Sequence, residues 1–248
     1  MKPAEIKMGG NRSISVFLKG NEDLADSLLA IGEGGHKIAK GLRQRVSEAY
    51  EGRFEIEIFQ EASGSSGLLR APSSPDRCST REPEGDRSPM GPAPPTALFQ
   101  RAPDVVVFSL EPAITQPPWI PVEEFRREFA RLVAEIKGRL AAHVIVFNCF
   151  AFDPDDRTRN YCGVQDTPAL RALRLNLALI DISTEAGISI VDVDRILTEL
   201  GGASHATTAF RYSPQACELI RDEFLRILQD IGFFERRPLV MQVGRKKA

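Results

Sequence analysis

The chain has 248 residues, of which 42% are hydrophobic and 27% are charged, values typical of a soluble globular protein. Its formal net charge is -2, so no global positive field directs it to nucleic acid. No apolar run approaches the roughly 18 residues of a membrane span, and the opening MKPAEIKMGGNR lacks the apolar core of a signal peptide. We therefore expect one cytoplasmic domain with no nucleic-acid and no membrane partner.

The four cysteines are widely spaced and form no C-x-x-C pair, which fits a reducing compartment. Only three histidines are present to complete a metal site. We therefore expect no metal ion and no cofactor, with the cysteines acting as small apolar side chains or lying in loops.

Proline is unevenly spread, and seven of the 17 prolines lie between Ala71 and Pro95. From Arg70 to Ala97 the sequence has no Val, Ile, Leu, Phe, Trp or Tyr. Such a segment buries too little apolar surface to offset the entropy lost on ordering. The composition predicts an insertion at 70–97 that is disordered, a linker or a mobile lid, within a single domain over 1–248.

Five segments have the apolar content of strands, and three of them are continuous apolar runs typical of strands covered on both faces. The predicted strands are Ser13–Leu18, Arg53–Phe59, Asp104–Leu110, His143–Phe150 and Gly187–Val193. Apolar residues at helical spacing form four stripes, which predict helices between and after these strands: Ile38 to Val46, Phe125 to Leu140, Leu170 to Ile180 and Cys217 to Ile231. The last two stripes follow Thr167-Pro168 and Ser213-Pro214, which predict capped helix starts.

Strands that alternate with helices predict an α/β protein with helices on both faces of a parallel sheet. The fold class expected here is a three-layer α/β/α sandwich with a five-stranded parallel sheet of the flavodoxin-like kind. In such sheets ligands bind beyond the carboxyl ends of the strands. The sequence has no Walker loop, no glycine fingerprint at a strand end and no G-x-S-x-G elbow, which argues against nucleotide sites and ordinary α/β-hydrolases.

The segment Gly20-Asn21-Glu22-Asp23-Leu24, directly after the first strand, resembles the first block of the SGNH (GDSL-type) hydrolases. APDVVVFSLEP resembles the third block of that family, and FRYSPQACELI resembles the entry to its final helix. The resemblance covers roughly residues 13–69 and 98–232 and rests on order and spacing. It implies an SGNH-hydrolase-like fold and a hydrolase or acyltransferase ancestry, with a small molecule as substrate or ligand.

The resemblance fails at the reactive positions. Glu22 stands where the family has its nucleophilic Ser, Glu111 where it has an oxyanion-hole Asn, and Arg211 where it has the catalytic His. Glu22 offers no hydroxyl, and Arg211 accepts no proton. The sequence therefore predicts that the usual serine mechanism is absent.

Two interpretations remain open. In the first, the site is rebuilt for hydrolysis or acyl transfer: Glu22 and Glu111 form a carboxylate pair, Arg211 holds an anionic group, and His205 supplies a shifted base. In the second, the same residues form a static ion-pair cluster in a binding or scaffolding protein without catalysis. The residues expected to line the pocket are Asn21, Asp23, Gly64, Ser65, Ser109 and Asn148, and for Asn148 the alternative is a cap at the end of its strand. The sequence does not define an oligomeric state.

Overall fold

A computed structural model of the chain describes residues 12–20, 22–29, 41–62, 97–115, 119–152, 157–161, 163–208 and 211–235. The insertion predicted at 70–97 lies outside these residues apart from its last one, so its lid or linker role stays a prediction. Within the described residues, no helix combines the length and the apolar character that a membrane crossing requires.

Nine strands are present in the described part of the chain. In order they are β1 (Arg12–Gly20), β2 (Phe54–Ala62), β3 (Val105–Ser109), β4 (His143–Phe147), β5 (Arg159–Tyr161), β6 (Val164–Asp166), β7 (Ser189–Val191), β8 (Ala206–Thr208) and β9 (Arg211–Tyr212). Five of them form one parallel sheet in the order β2-β1-β3-β4-β7. The predicted five-stranded parallel sheet is confirmed, and the other four strands make two short antiparallel hairpins, β5-β6 and β8-β9.

The helices alternate with the sheet strands. They are α1 (Glu22–Leu24), α2 (Leu42–Ala49), α3 (Ala97–Arg101), α4 (Pro112–Thr115), α5 (Val122–Arg139), α6 (Pro168–Ala186), α7 (Val193–Leu200) and α8 (Pro214–Asp230). A π-helical turn, Ala25–Leu29, continues α1. The short helices α3 and α4 carry too little apolar periodicity to be predicted from the sequence.

The core is divided by the sheet into two apolar clusters, because successive side chains of a strand point to opposite faces. On one face Val16 packs in a cluster with α2, α7 and α8, including Phe224. On the other face Phe17 packs in a cluster with α5 and α6, including Phe129. The predicted α/β/α sandwich is therefore confirmed as three layers.

Helix α6 starts where the sequence predicts, since the Thr167 Oγ1 accepts a hydrogen bond from the backbone N–H of Leu170 at 3.2 Å. The leucine stripe that identifies it nevertheless faces outward. Its members are between 42% and 64% exposed: Leu170, Leu173, Leu177 and Ile180. The face toward the sheet consists of a second set that includes Ala172, Leu175, Leu179 and Ile182. This helix is apolar on two opposite sides.

Candidate active site at the carboxyl edge of the sheet

The carboxyl ends of the sheet strands meet at one edge, and polar residues follow several of them. Strand β1 ends at Gly20, β3 at Ser109 and β4 at Phe147, which precedes Asn148. Most of the predicted site residues within the described part of the chain therefore lie at this edge.

Gly20 is required by close packing at the end of β1. A Cβ atom at this position would lie 2.5 Å from Leu24 Cδ1 and 2.9 Å from Ser109 Cβ, closer than side-chain carbons approach. The missing side chain lets β1, the first turn of α1 and the end of β3 come together. The glycine on which the resemblance rests is thus explained by the local packing of this chain.

A buried hydrogen-bond network joins the ends of β1 and β3. The Ser109 hydroxyl donates to Asp23 Oδ2 at 2.5 Å and accepts from the Glu111 N–H at 3.0 Å. The Glu111 carboxylate accepts from Thr115 Oγ1 at 2.7 Å. Ser109, Asp23 and Glu111 are all buried. Because its donor and acceptor functions are both used and its surface is covered, Ser109 is a structural hydroxyl rather than a nucleophile.

A second network joins β4 to the start of α7. The Asn148 side-chain amide donates to Asp192 Oδ1 at 2.8 Å, and its oxygen accepts from the Asp194 N–H at 3.2 Å. Asp194 in turn accepts from the Ala151 N–H at 3.0 Å. Asn148 therefore fixes the loop after β4 on the end of β7, and its polar atoms are committed to the protein.

Cys149 lies between these two networks. Its backbone N–H donates to Asn176 Oδ1 at 3.1 Å, and its carbonyl accepts from Asn176 Nδ2 at 2.7 Å. Burial, followed by the negative charges of Asp23, Glu111 and Asp194, holds the pKa of the Cys149 thiol well above its ordinary value. The thiol is therefore protonated at neutral pH and is not a nucleophile.

The β8-β9 hairpin lies beside the same edge of the sheet. Strand β9, with Arg211 and Tyr212, contacts α1. Burial, followed by the charges of Asp23, Cys149 and Glu111, holds the pKa of the Tyr212 phenol well above its ordinary value. Asp23, Glu111, Cys149 and Tyr212 therefore form one buried cluster, in which the Tyr212 phenol is protonated at neutral pH.

His205 is engaged with the start of α8 rather than with a carboxylate. Its Nδ1 lies 2.8 Å from the Ser213 hydroxyl, and its carbonyl accepts from the Ser213 N–H at 2.7 Å. The Ser213 hydroxyl also accepts from the Ala216 N–H at 3.2 Å. His205 thus positions the hairpin that holds Arg211 and Tyr212.

The structure brings together Asp23, Ser109 and Glu111, with β9 beside α1. The backbone of Glu22 begins α1. The remaining predicted residues of the pocket, Asn21, Gly64 and Ser65, lie outside the described residues. Among the residues that are described, no three His, Cys, Asp or Glu side chains are grouped so as to hold a metal ion.

Sequence reasoning missed three members of this site: Thr115, Cys149 and Tyr212. Tyr212 follows the Arg that stands at the family's histidine position, which is a signal that could have nominated it. Cys149 directly follows Asn148, at the end of an apolar run. Thr115 has no comparable signal, because it reaches Glu111 only through the short helix α4.

Comparison with solved structures places this arrangement in a known fold. The chain superposes on a GDSL-like lipase from Parabacteroides merdae with a TM-score of 0.57 and 10% sequence identity, covering 89% of this chain and 97% of that one. For the lipase/acylhydrolase from Enterococcus faecalis the TM-score is 0.55, the identity 15% and the coverage 89% and 96%. For an acetylxylan esterase from Geobacillus stearothermophilus the TM-score is 0.53, the identity 14% and the coverage 87% and 94%.

These similarities define the fold as that of the SGNH hydrolases. A scan against protein-family models finds no match, and a search of the curated proteins also finds none. This chain therefore shares the α/β/α architecture of SGNH hydrolases at very low sequence identity. The chemistry of its site has to be argued from its own residues.

Proposed function

We propose that this chain hydrolyses an ester of a small molecule at a rebuilt SGNH-type site that uses carboxylate and guanidinium groups in place of Ser and His. The observation that supports this most directly is the contact between α1 and β9. It brings the short helix that begins at Glu22 against the strand that holds Arg211, at the strand edge where this fold binds ligands.

In the proposed reaction Glu22 acts as general base toward a water molecule. Glu22 takes a proton as the water oxygen bonds to the acyl carbon, and the carbonyl electron pair moves onto the carbonyl oxygen. Arg211 stabilises that oxyanion by a charge-assisted hydrogen bond. When the tetrahedral intermediate collapses, the ester C–O bond breaks and the leaving alkoxide takes the proton from Glu22. An ester and water give an acid and an alcohol, with no acyl-enzyme.

The other carboxylate contributes to binding in this proposal. Glu111 has a buried side chain whose carboxylate accepts a hydrogen bond from the hydroxyl of Thr115. Such a group repels a developing oxyanion but accepts a hydrogen bond from a hydroxyl group of the substrate. We therefore expect an ester whose alcohol or acyl part carries a hydroxyl close to the reacting carbon.

A second candidate function is ligand binding without turnover. It is favoured by the extent to which Asp23, Ser109 and Glu111 satisfy one another inside the chain. Buried polar groups that are hydrogen-bonded within the chain are typical of structural clusters. The two functions differ in whether the bound ester is consumed.

The test is hydrolysis of short-chain aryl esters and acetylated sugars by the purified chain and its Glu22→Gln and Arg211→Met variants. We expect each variant to lose on the order of 10²-fold or more in kcat/KM, the usual contribution of a general base or an oxyanion partner. Glu135→Gln is the matched control, because Glu135 pairs with Arg139 on the exposed end of α5, away from the site.

Labelling separates the mechanisms. A serine-directed fluorophosphonate should neither label nor inhibit the wild type. This result separates direct attack by water from an acyl-serine mechanism, because both mechanisms place the heavy oxygen of H₂¹⁸O in the product acid. Fluorophosphonate labelling of a serine, with loss of activity when that serine is replaced, would refute the proposal. Saturable binding of the esters with no turnover would establish the second candidate instead.

A further inference from the structure

Helix α6 carries apolar side chains on the side that faces away from the sheet. Leu170, Leu173, Leu177 and Ile180 recur at intervals of three, four and three residues, and all are between 42% and 64% exposed. This is the spacing of the a and d positions in a coiled-coil seam. A helix that is apolar on both sides is normally covered on both sides.

We propose that α6 forms a two-fold interface with α6 of a second copy of this chain, the two helices running antiparallel. The stripe is self-complementary in this arrangement, because each layer sets Leu173 against Leu177 of the partner subunit and Leu170 against Ile180 of the partner subunit. An isologous contact of this kind is the usual basis of homodimers.

The size of the stripe supports an interface core. Four half-exposed side chains expose on the order of 400 Å² of apolar surface, within the range of functional patches on single chains. A stable complex buries about 800 Å² on each partner. The leucine stripe thus supplies roughly half of what a stable dimer needs, and the polar residues along its flank would supply the rim.

The charged residues along one flank of the stripe favour a second copy of this chain as the partner, in the antiparallel orientation. Arg174 and Asp181 lie seven residues apart, each one position beyond a member of the stripe, and their side chains remain 46% and 55% exposed. In an antiparallel pair equivalent flanks face each other. Arg174 of each copy therefore lies toward Asp181 of the other copy. The opposite flank, with Ala169 and Ser183, carries no charge that would favour a parallel pair.

Both residues also have partners within their own chain. Arg174 Nη1 lies 2.6 Å from Asp166 Oδ2, and Asp181 Oδ2 lies 3.5 Å from Arg126 Nη1. Each contact uses part of the charged group, and the side chains stay 46% and 55% exposed. These contacts leave the exposed part of each group available to a second helix.

The first test measures the mass of the purified chain in solution by sedimentation at tens of micromolar. We expect a dimer, and we expect Leu177→Glu to raise its dissociation constant by on the order of tenfold or more, as loss of a central apolar contact does. Leu219→Glu is the matched control, because Leu219 on α8 is 41% exposed but has no comparable apolar stripe beside it. Circular dichroism checks that each variant is folded.

Three results would overturn the proposal. They are a monomeric wild type, a dimer that Leu177→Glu leaves unchanged, and a dimer that Leu219→Glu weakens equally. The second result would place the interface elsewhere on the chain, and the third would show that the loss is not specific to the stripe on α6.

The second test uses charge. Arg174→Asp sets an acidic group against Asp181 of the partner subunit, and Asp181→Arg sets a basic group against Arg174 of the partner subunit, so each variant should dimerise more weakly than the wild type. An equimolar mixture should recover a heterodimer, because two attractive pairs then form between chains. Intrachain contacts cannot produce this recovery. A mixture that stays as weak as its components would exclude the antiparallel pairing.

Discussion

Helices α6 and α8 begin alike and cover opposite faces of the same sheet, yet their outer surfaces differ. Each starts with a hydroxyl cap followed by Pro, at Thr167-Pro168 and Ser213-Pro214. The outer side of α8 is charged and forms ion pairs, such as those of Glu218 and Asp222 with Arg45. The outer side of α6 is leucine-rich. The same start signals and inner packing therefore do not determine what a helix presents outward.

The two helices also differ in how they accommodate a buried arginine. Arg171 of α6 donates through Nε to the Ala113 carbonyl and through Nη2 to the Ile120 carbonyl, each at 2.9 Å. Its guanidinium also lies 4.6 Å from the ring centre of Tyr161. Arg221 of α8 donates through Nε to the Ser27 carbonyl at 2.7 Å. Among the described residues, the two terminal nitrogens of Arg221 have no hydrogen-bond partner.

The largest expected effect comes from replacing these two arginines by Met. Arg171→Met should lower the free energy of unfolding by about 3 kcal/mol, because it leaves two carbonyls without their donor. Arg221→Met should change it by less than about 1 kcal/mol, because removing an incompletely paired buried charge offsets the lost hydrogen bond. Urea unfolding of both variants measures the difference.

Arg171→Lys is the control for charge, since it keeps the positive charge but not the two-carbonyl geometry. We expect it to lose most of the same stability. If Arg221→Met cost as much as Arg171→Met, the contrast between the two helices would be wrong.

The next effect is a loss of stability at alkaline pH to which Cys217 of α8 contributes, alongside Cys149 and Tyr212, whose pKa values are also raised. Burial raises the pKa of the Cys217 thiol from its ordinary value of 9.0 to about 11. The folded chain then keeps a proton that the unfolded chain releases, so unfolding becomes easier as the pH rises above 9. Between pH 9 and 11 this thiol should account for a fall of about 2–3 kcal/mol in the free energy of unfolding.

Urea unfolding across this pH range should therefore show a shallower decline in Cys217→Ala than in the wild type. Ile182→Val on α6 is the matched control, because it removes buried volume without removing a titrating group. Its decline should parallel that of the wild type. Identical slopes in Cys217→Ala and the wild type would contradict the assignment.

The smallest effect concerns the caps. Thr167→Ala should cost about 1 kcal/mol, the usual value of a side-chain cap. Ser213→Ala should cost about 2 kcal/mol, because the Ser213 hydroxyl also bonds His205 Nδ1. Thermal unfolding compares them, with Thr167→Ser and Ser213→Thr as variants that keep the hydroxyl. Equal losses at the two caps would show that the contact with His205 contributes nothing to stability.

The centre of the sheet could be predicted from the sequence because β3 and β4 are buried on both sides. The apolar run over 105–108 is unbroken, and all five residues of β3 are buried. Helix α6 shows the limit of the same reasoning. Its sequence has two apolar sides, and periodicity alone does not say which one faces the sheet. The structure places Leu175 and Leu179 inside and Leu173 and Leu177 outside.

The site was predictable only in part. The order of the strands places Asp23, Ser109 and Glu111 at the carboxyl edge of the sheet, and this is enough to nominate them as site residues. Their hydrogen bonds depend on close approach at Gly20 and on a short helix that brings Thr115 to Glu111. Such contacts join residues distant in the chain or depend on local turns without periodicity. The roles of Asn148 and His205 as connectors likewise emerge only from their partners.

The two edges of the sheet have a consequence for how this chain can associate. Unpaired edge strands invite further strands to add and so lead to aggregation. At one edge β2 carries exposed Glu55 and Glu57, and at the other β7 is only three residues long. Both features discourage strand addition. Copies of this chain are thus kept from extending one another's sheets, which leaves its helices as the surfaces for ordered assembly.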